Sequence, residues 1–143
     1  MRRVTRPGGI VACGTFDFWG GFSAAEHIIE IGATLDEDMR VIRDYRRARP
    51  LFWPNGMARL WSDLGLTDVT EVPIVISFDF ESFDDYWTSL CTGPNSMAQR
   101  IKVMAADRRD EIHRLVMSSY LAGIKDGPRS FASIVRSVRG VVP

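Results

Sequence analysis

Between Thr15 and His27 the chain reads TFDFWGGFSAAEH, and several side chains able to do chemistry stand close together there. Asp17 directly follows an apolar run. It is a candidate general base for a substrate oxygen or activated carbon, although an aspartate after a strand also serves to cap or turn the chain. Phe18, Trp19 and Phe22 suit a flat or prenylated ligand through stacking and apolar burial. The plainer alternative is an aromatic cluster that packs a loop onto a sheet. His27 is the better placed of the two histidines for base work, against the alternative of a satisfied core or surface position. His113, in DEIHRL, reads as a solvated helix position. Arg49, in RARPLFWP, could bind a carboxylate or phenolate, with a salt bridge as its competitor. Tyr86 and Trp87 could close a pocket, while their helical spacing with Phe83 and Leu90 also fits core packing. Neither the histidines nor the cysteines have company at metal-ligand spacing, so no metal site is expected.

These residues need elements to position them. IVACGTF (10–16) is a short apolar run after Pro7-Gly8-Gly9, as expected of a strand covered on both faces. Thr15, Asp17, Phe18 and Trp19 then fall at the carboxyl rim of that strand, where open α/β sheets bind ligands. A helix begins at Ser23, whose spacing to Glu26 fits a capping box, and the Thr34–Glu37 spacing repeats it before a second helical segment. Ile28, Ile31, Leu35, Met39 and Ile42 form one stripe across both pieces. PNGMARLWSDLGL reads as a helix capped by Asn55, with Met57, Leu60, Trp61 and Leu64 on one face. Gly65 is its C-terminal stop, and Leu66 packs back. VPIVISFDF (72–80) alternates with period two, and Pro73, which lacks an amide hydrogen, assigns it to a sheet edge. SFDDYWTSL is a short helix, Ser96–Ala122 are two helices broken near Asp107, and SFASIVRSVRGVV is a final strand.

The chain has 143 residues, 45% hydrophobic and 25% charged, with a formal net charge of zero. That is one domain's worth of ordinary globular sequence. The arginines at 40, 43, 46, 47 and 49 share their helix with acids, so no nucleic-acid face is expected. Two cysteines without nearby partners read as a reduced, cytoplasmic chain. No apolar run approaches the ~20 residues that cross a bilayer.

RVTRPGGIVACGTFDF, RPLFWPNGMARLWSDLGLTDV and VRSVRGVVP, taken in that order, resemble the C-terminal half of class I S-adenosylmethionine-dependent methyltransferases. Within that family the resemblance is to small-molecule enzymes of the ubiquinone/menaquinone-biosynthesis type. It covers nearly the whole chain, 1–143, as a single domain. It implies an α/β, partial Rossmann-like fold of about three strands, equivalent to the family's fifth, sixth and seventh. The seventh inserts antiparallel between the other two. It also implies S-adenosylmethionine as donor, a small organic substrate, and in-line methyl transfer catalysed mostly by positioning. The family holds its donor with a glycine-rich loop after the first strand and an acidic residue ending the second. No such unit is found here, and only Thr15 reaches the cofactor rim. The expectation is therefore a substrate-side half, a fragment or split half inactive alone. The alternative is a non-catalytic dimeric module that binds a small ligand or another protein. Either way, the outer edge of the Ile10–Phe16 strand is expected to be covered by a second copy or by an N-terminal partner chain.

Overall fold

A computed structural model describes residues 2–143. Strand β1 (Ile10–Phe16) is followed by helices α1 (Ser23–Leu35) and α2 (Glu37–Arg47), a 3-10 turn at Pro50–Phe52 and helix α3 (Gly56–Asp63). Strand β2 (Thr67–Phe80), helices α4 (Phe83–Cys91), α5 (Ser96–Val103) and α6 (Ala106–Leu121), and strand β3 (Arg129–Val141) complete the chain. The mixed α/β class and the three strands are as expected, but β1 is not covered on both faces, since Ile10, Ala12 and Gly14 are exposed. The sheet is antiparallel in the order β1-β3-β2, so the last strand lies in the middle and β2 at an edge, where Pro73 is tolerated. β1 runs against β3 from Ile10 opposite Val141 to Phe16 opposite Val135. β2 begins at Thr67, five residues before the expected strand at Val72.

The chain divides into two compact units. The first comprises Met1–Phe22, Arg46–Ile76 and Ala132–Pro143. Its core takes Val11 from β1, Val138 and the following Val142 from the β3 end, Trp61 from α3, and Leu66, with Cys13, Met57, Ala58 and Val69 packed against them. Each large apolar side chain so buried contributes about 1.5–3 kcal/mol. The expected stripe on α3 is narrower than its spacing implies: Trp61 is buried, but Leu60 and Leu64 are 37% and 52% exposed. The helix presents Met57, Ala58 and Trp61 to the core instead. Its end is as expected. Gly65, at φ 77°, donates to the Ser62 carbonyl at 2.9 Å and Leu66 donates to Trp61 at 3.1 Å, the paired bonds of a Schellman motif.

The second unit, Ser23–Tyr45 and Ser77–Phe131, is built from helices. Ile28, Ile29 and Met39 are fully buried, together with Ile112 and Val116 of α6. Ile31, Leu35 and Ile42 of the expected stripe are half-buried. The cap of α2 is not Thr34. Asp36 Oδ1 accepts the Met39 amide at 3.0 Å, while the Thr34 hydroxyl donates to the Ile31 carbonyl at 2.7 Å. The helix starts at Glu37, so the residue in register to cap it is Asp36. Arg100 of α5 grips the same carboxylate through two bonds, at 2.9 and 2.6 Å. That fork holds the Asp36 carboxyl below its usual value.

Candidate functional site

Asp17 lies just beyond β1 and is only 4% exposed. Its Oδ1 accepts the Trp19 amide at 3.0 Å, and its Oδ2 meets Arg136 Nη2 of β3 at 2.6 Å. Both oxygens are thus engaged, one in a turn and one in an ion pair. At Asp17, the position expected for a general base, the structure places a buried carboxylate held in a turn and an ion pair, which is a structural role. The glycines that follow serve the same turn. Gly20 has φ 146°, and a Cβ on Gly21 would come within 2.7 Å of the Asp17 Cβ.

Arg136 also reaches Glu71 of β2, Nη1 to Oε1 at 3.7 Å, and the Glu71 side chain is 2% exposed. The Glu71 carboxylate accepts the Asn55 amide at 2.8 Å and the Ala58 amide at 3.2 Å. It therefore caps α3 from a neighbouring strand. The expected cap, Asn55, is corrected: its backbone is left-handed, at φ 60°, and its side chain makes no capping bond. Burial raises the Cys13 thiol above its ordinary value, and the Glu71 charge adds to this. Asp17, Arg136, Glu71 and the start of α3 form one polar chain through the first unit.

The aromatic residues divide into a packed group and an open one. Phe16 and Phe22 stack at 4.2 Å, and Phe18 stands edge-on to Phe52 at 4.8 Å with the Arg46 guanidinium 4.9 Å from its ring. Phe18 and Phe22 accordingly pack the loop rather than line an opening. Trp19 is 52% exposed and meets Trp53 edge-to-face at 5.7 Å. The Trp53 Nε1 donates to the Arg47 carbonyl at 2.8 Å, which fixes its ring. Trp19, Trp53, Pro54 and Arg59 line a groove of about 260 Å³. Among the described residues the Arg59 guanidinium has no acidic partner. Gly56 holds this corner, since any Cβ there would collide with the Pro50 carbonyl. Arg49 is exposed at the start of the 3-10 turn and does not line the groove. The half-buried Thr15 directs its hydroxyl to the Phe16 carbonyl at 3.4 Å.

His27, Tyr86 and Trp87 belong to the second unit. Tyr86 is fully buried, stacks on Phe131 at 5.2 Å and donates its hydroxyl to the Ala24 carbonyl at 2.7 Å. Burial drives its phenol far above the ordinary value. It is a core residue with no surface to offer a ligand, which corrects its assignment to a pocket wall. His27 stands edge-on to Tyr86 and to Phe131, both at 6.2 Å. Burial lowers its pKa, a hydrogen bond to the Val116 backbone opposes this, and Nε2 has no partner among the described residues. His113 is not solvated as expected but half-buried, 4.8 Å from the Trp87 ring and 5.0 Å from Phe83. Trp87 borders a groove between α4, α5 and α6. Among the described residues no cluster of histidine, cysteine, aspartate or glutamate could hold a metal. No helix among them is long and apolar enough to cross a membrane.

Of the residues at this groove, Trp19 stands among the candidates in the sequence, whereas Trp53 and Arg59 do not. Their signal was a tryptophan beside a proline in FWPNGMAR, a turn that leaves a large ring without a helical face to bury it. Glu71 and Arg136, which carry no local signal, do not stand among the candidates either. Comparison with known protein families and with curated proteins found no match to this chain.

Proposed function

We propose that this chain is related to S-adenosylmethionine-dependent methyltransferases and forms the substrate-side part of such a fold. It would hold a small planar organic molecule in the Trp19–Trp53 groove. The observation that carries the reading is the strand order β1-β3-β2, with the last strand antiparallel to β1 and inserted beside it. The groove supports it, because two tryptophans meeting at 5.7 Å offer ring faces and edges to a flat ligand. Arg59 supplies a guanidinium for an anionic substituent. Arg49, Phe18, Phe22, Tyr86 and Trp87 do not line that groove.

The residues present do not fit the methyl donor. In the only strand-glycine-helix passage among the described residues, Gly20-Gly21 between β1 and α1, Gly21 packs on the Asp17 side chain, and the Trp19 and Gly21 amides are spent on Asp17. With those amides held inside the turn, this chain alone is assigned binding and orientation of the acceptor and no chemical step. Two free cysteines accord with a reducing compartment such as the cytoplasm.

Titration of 2-naphthoate followed by tryptophan fluorescence tests the groove. Saturable binding is expected, weakened at least tenfold by Trp53→Ala and by Arg59→Gln. Binding that both variants leave unchanged would overturn it. Calorimetry with S-adenosylmethionine is expected to show no binding at millimolar donor. Micromolar affinity, about −8 kcal/mol, would show that the chain builds a donor site and would refute the substrate-side assignment.

A second reading, a dimeric non-catalytic module, is favoured by the edge of β1. Gly9 and Asp17 bond to β3 through Val142 and Ile134, so the odd-numbered residues face β3. The backbone groups of Ile10, Ala12 and Gly14 then point to the outer edge, where no strand pairs among the described residues. Such an edge invites a second strand. Light scattering that found a monomer at micromolar concentration would count against this reading and leave the first intact.

A further inference from the structure

The groove between α4, α5 and α6 is larger than the one at Trp19, about 380 Å³, within the ~300–1,000 Å³ of small-molecule sites. Its floor is apolar. Ala98, Ile101 and Cys91 are 2%, 3% and 7% exposed, and the half-buried Trp87 forms a wall. The wall is a single indole, already edge-on to His113, so no second ring is available to sandwich a planar ligand. The Cys91 thiol, pushed up to about 12 by burial, stays protonated and behaves as part of the apolar lining. The rim is cationic. Lys102 and Arg109 line the groove, and no acidic residue does. Lys102 has no acidic partner among the described residues. Arg109 has only Asp110, at 3.8 Å and 77% exposed. In a chain of zero net charge, an apolar trough with two cations at its rim is complementary to a small molecule with an apolar body and an anionic end.

We propose that this groove binds a medium-chain aliphatic carboxylate, with the chain along Trp87, Ala98 and Ile101 and the carboxylate at Lys102 and Arg109. The inference does not depend on the methyltransferase reading, because it uses none of the residues of the Trp19 groove.

Calorimetric titration of octanoate into the intact chain tests it. Octanoate is expected to bind at least tenfold more tightly than butanoate, since each buried methylene is worth roughly a factor of three to four. Octylamine, with the same tail and the opposite charge, should bind at least tenfold more weakly than octanoate. Lys102→Gln combined with Arg109→Gln should remove that preference for the acid while folding normally, as both side chains lie at the surface. Thr92→Trp, at the mouth, should block all three ligands. Octanoate and octylamine binding alike, the double variant keeping full octanoate affinity, or no octanoate binding at millimolar concentration would each overturn the proposal. Trp53→Ala separates the two sites. It should weaken 2-naphthoate and leave octanoate unchanged, and a loss of octanoate affinity would refute the placement in this groove.

Discussion

Replacing Glu71 with alanine removes the carboxylate that joins β2 to the start of α3. Two amides, those of Asn55 and Ala58, lose acceptors at 2.8 and 3.2 Å. A lost helix cap costs about 1 kcal/mol. The charge also sits at the positive end of the helix, which is worth about 0.3–1 kcal/mol more. Arg136 keeps Asp17 at 2.6 Å but loses Glu71 at 3.7 Å. Breaking a buried pair costs about 3–5 kcal/mol. The long separation and the surviving partner reduce that to about 1–2 kcal/mol here. The expected total is about 2–4 kcal/mol. Glu71→Gln keeps one acceptor and the shape, so about half of that is expected. Urea unfolding followed by fluorescence reads the effect, because Trp61 is buried in the same core at 6% exposure. With a slope of about 1.5 kcal/mol per molar urea, the Glu71→Ala midpoint should fall by roughly 1.3–2.7 M. A change below about 0.5 kcal/mol, typical of a surface site, would refute the assignment of Glu71 as the cap. So would a glutamine variant as unstable as the alanine one.

Burial lowers the His27 pKa in the folded state, so between that value and the ordinary ~6.5 the unfolded chain holds a proton the folded chain lacks. Stability should therefore rise with pH through that window and fall as pH drops below about 6.5. Comparing urea midpoints at pH 7.5 and 5.5 should show a smaller loss in His27→Phe than in the parent, and equal losses would exclude the histidine as a source. Tyr86→Phe removes one buried hydrogen bond, to the Ala24 carbonyl at 2.7 Å, and should cost about 1 kcal/mol while preserving the ring packing. No measurable cost would mean this bond adds nothing beyond the one the hydroxyl makes to water in the unfolded chain. Cys91, 7% exposed and with its thiol raised to about 12, should resist a disulfide reagent at pH 8 until the chain is unfolded. Mass spectrometry of the labelled native protein checks this, and rapid modification at Cys91 would contradict the burial.

What could be read from the sequence was local. Ile10–Phe16 forms a strand, and Gly65 ends α3 while Leu66 packs back, because their determinants lie within a few residues of one another. The edge position of β2 was legible too, since Pro73 cannot donate to a ladder on both sides. Capping from a distance was not. Glu71 bonds to an amide 16 residues away, Arg100 to a carboxylate 64 away, and Arg136 to one 119 away. Nothing in the chain near Asn55 tells that a carboxylate will arrive from β2. Once it does, the asparagine is free to adopt a left-handed backbone. Helical spacing of Phe83, Tyr86 and Leu90 was equally ambiguous, because core and pocket walls demand the same period. Whether a ring is buried, like Tyr86, or left at a groove, like Trp19, depends on what the rest of the chain places over it. Sequence by itself set the element types and the turns that glycine and proline require. Strand register and helix orientation, which exist only after the chain has folded back on itself, decided which charges pair, which aromatics are covered and where a ligand finds room.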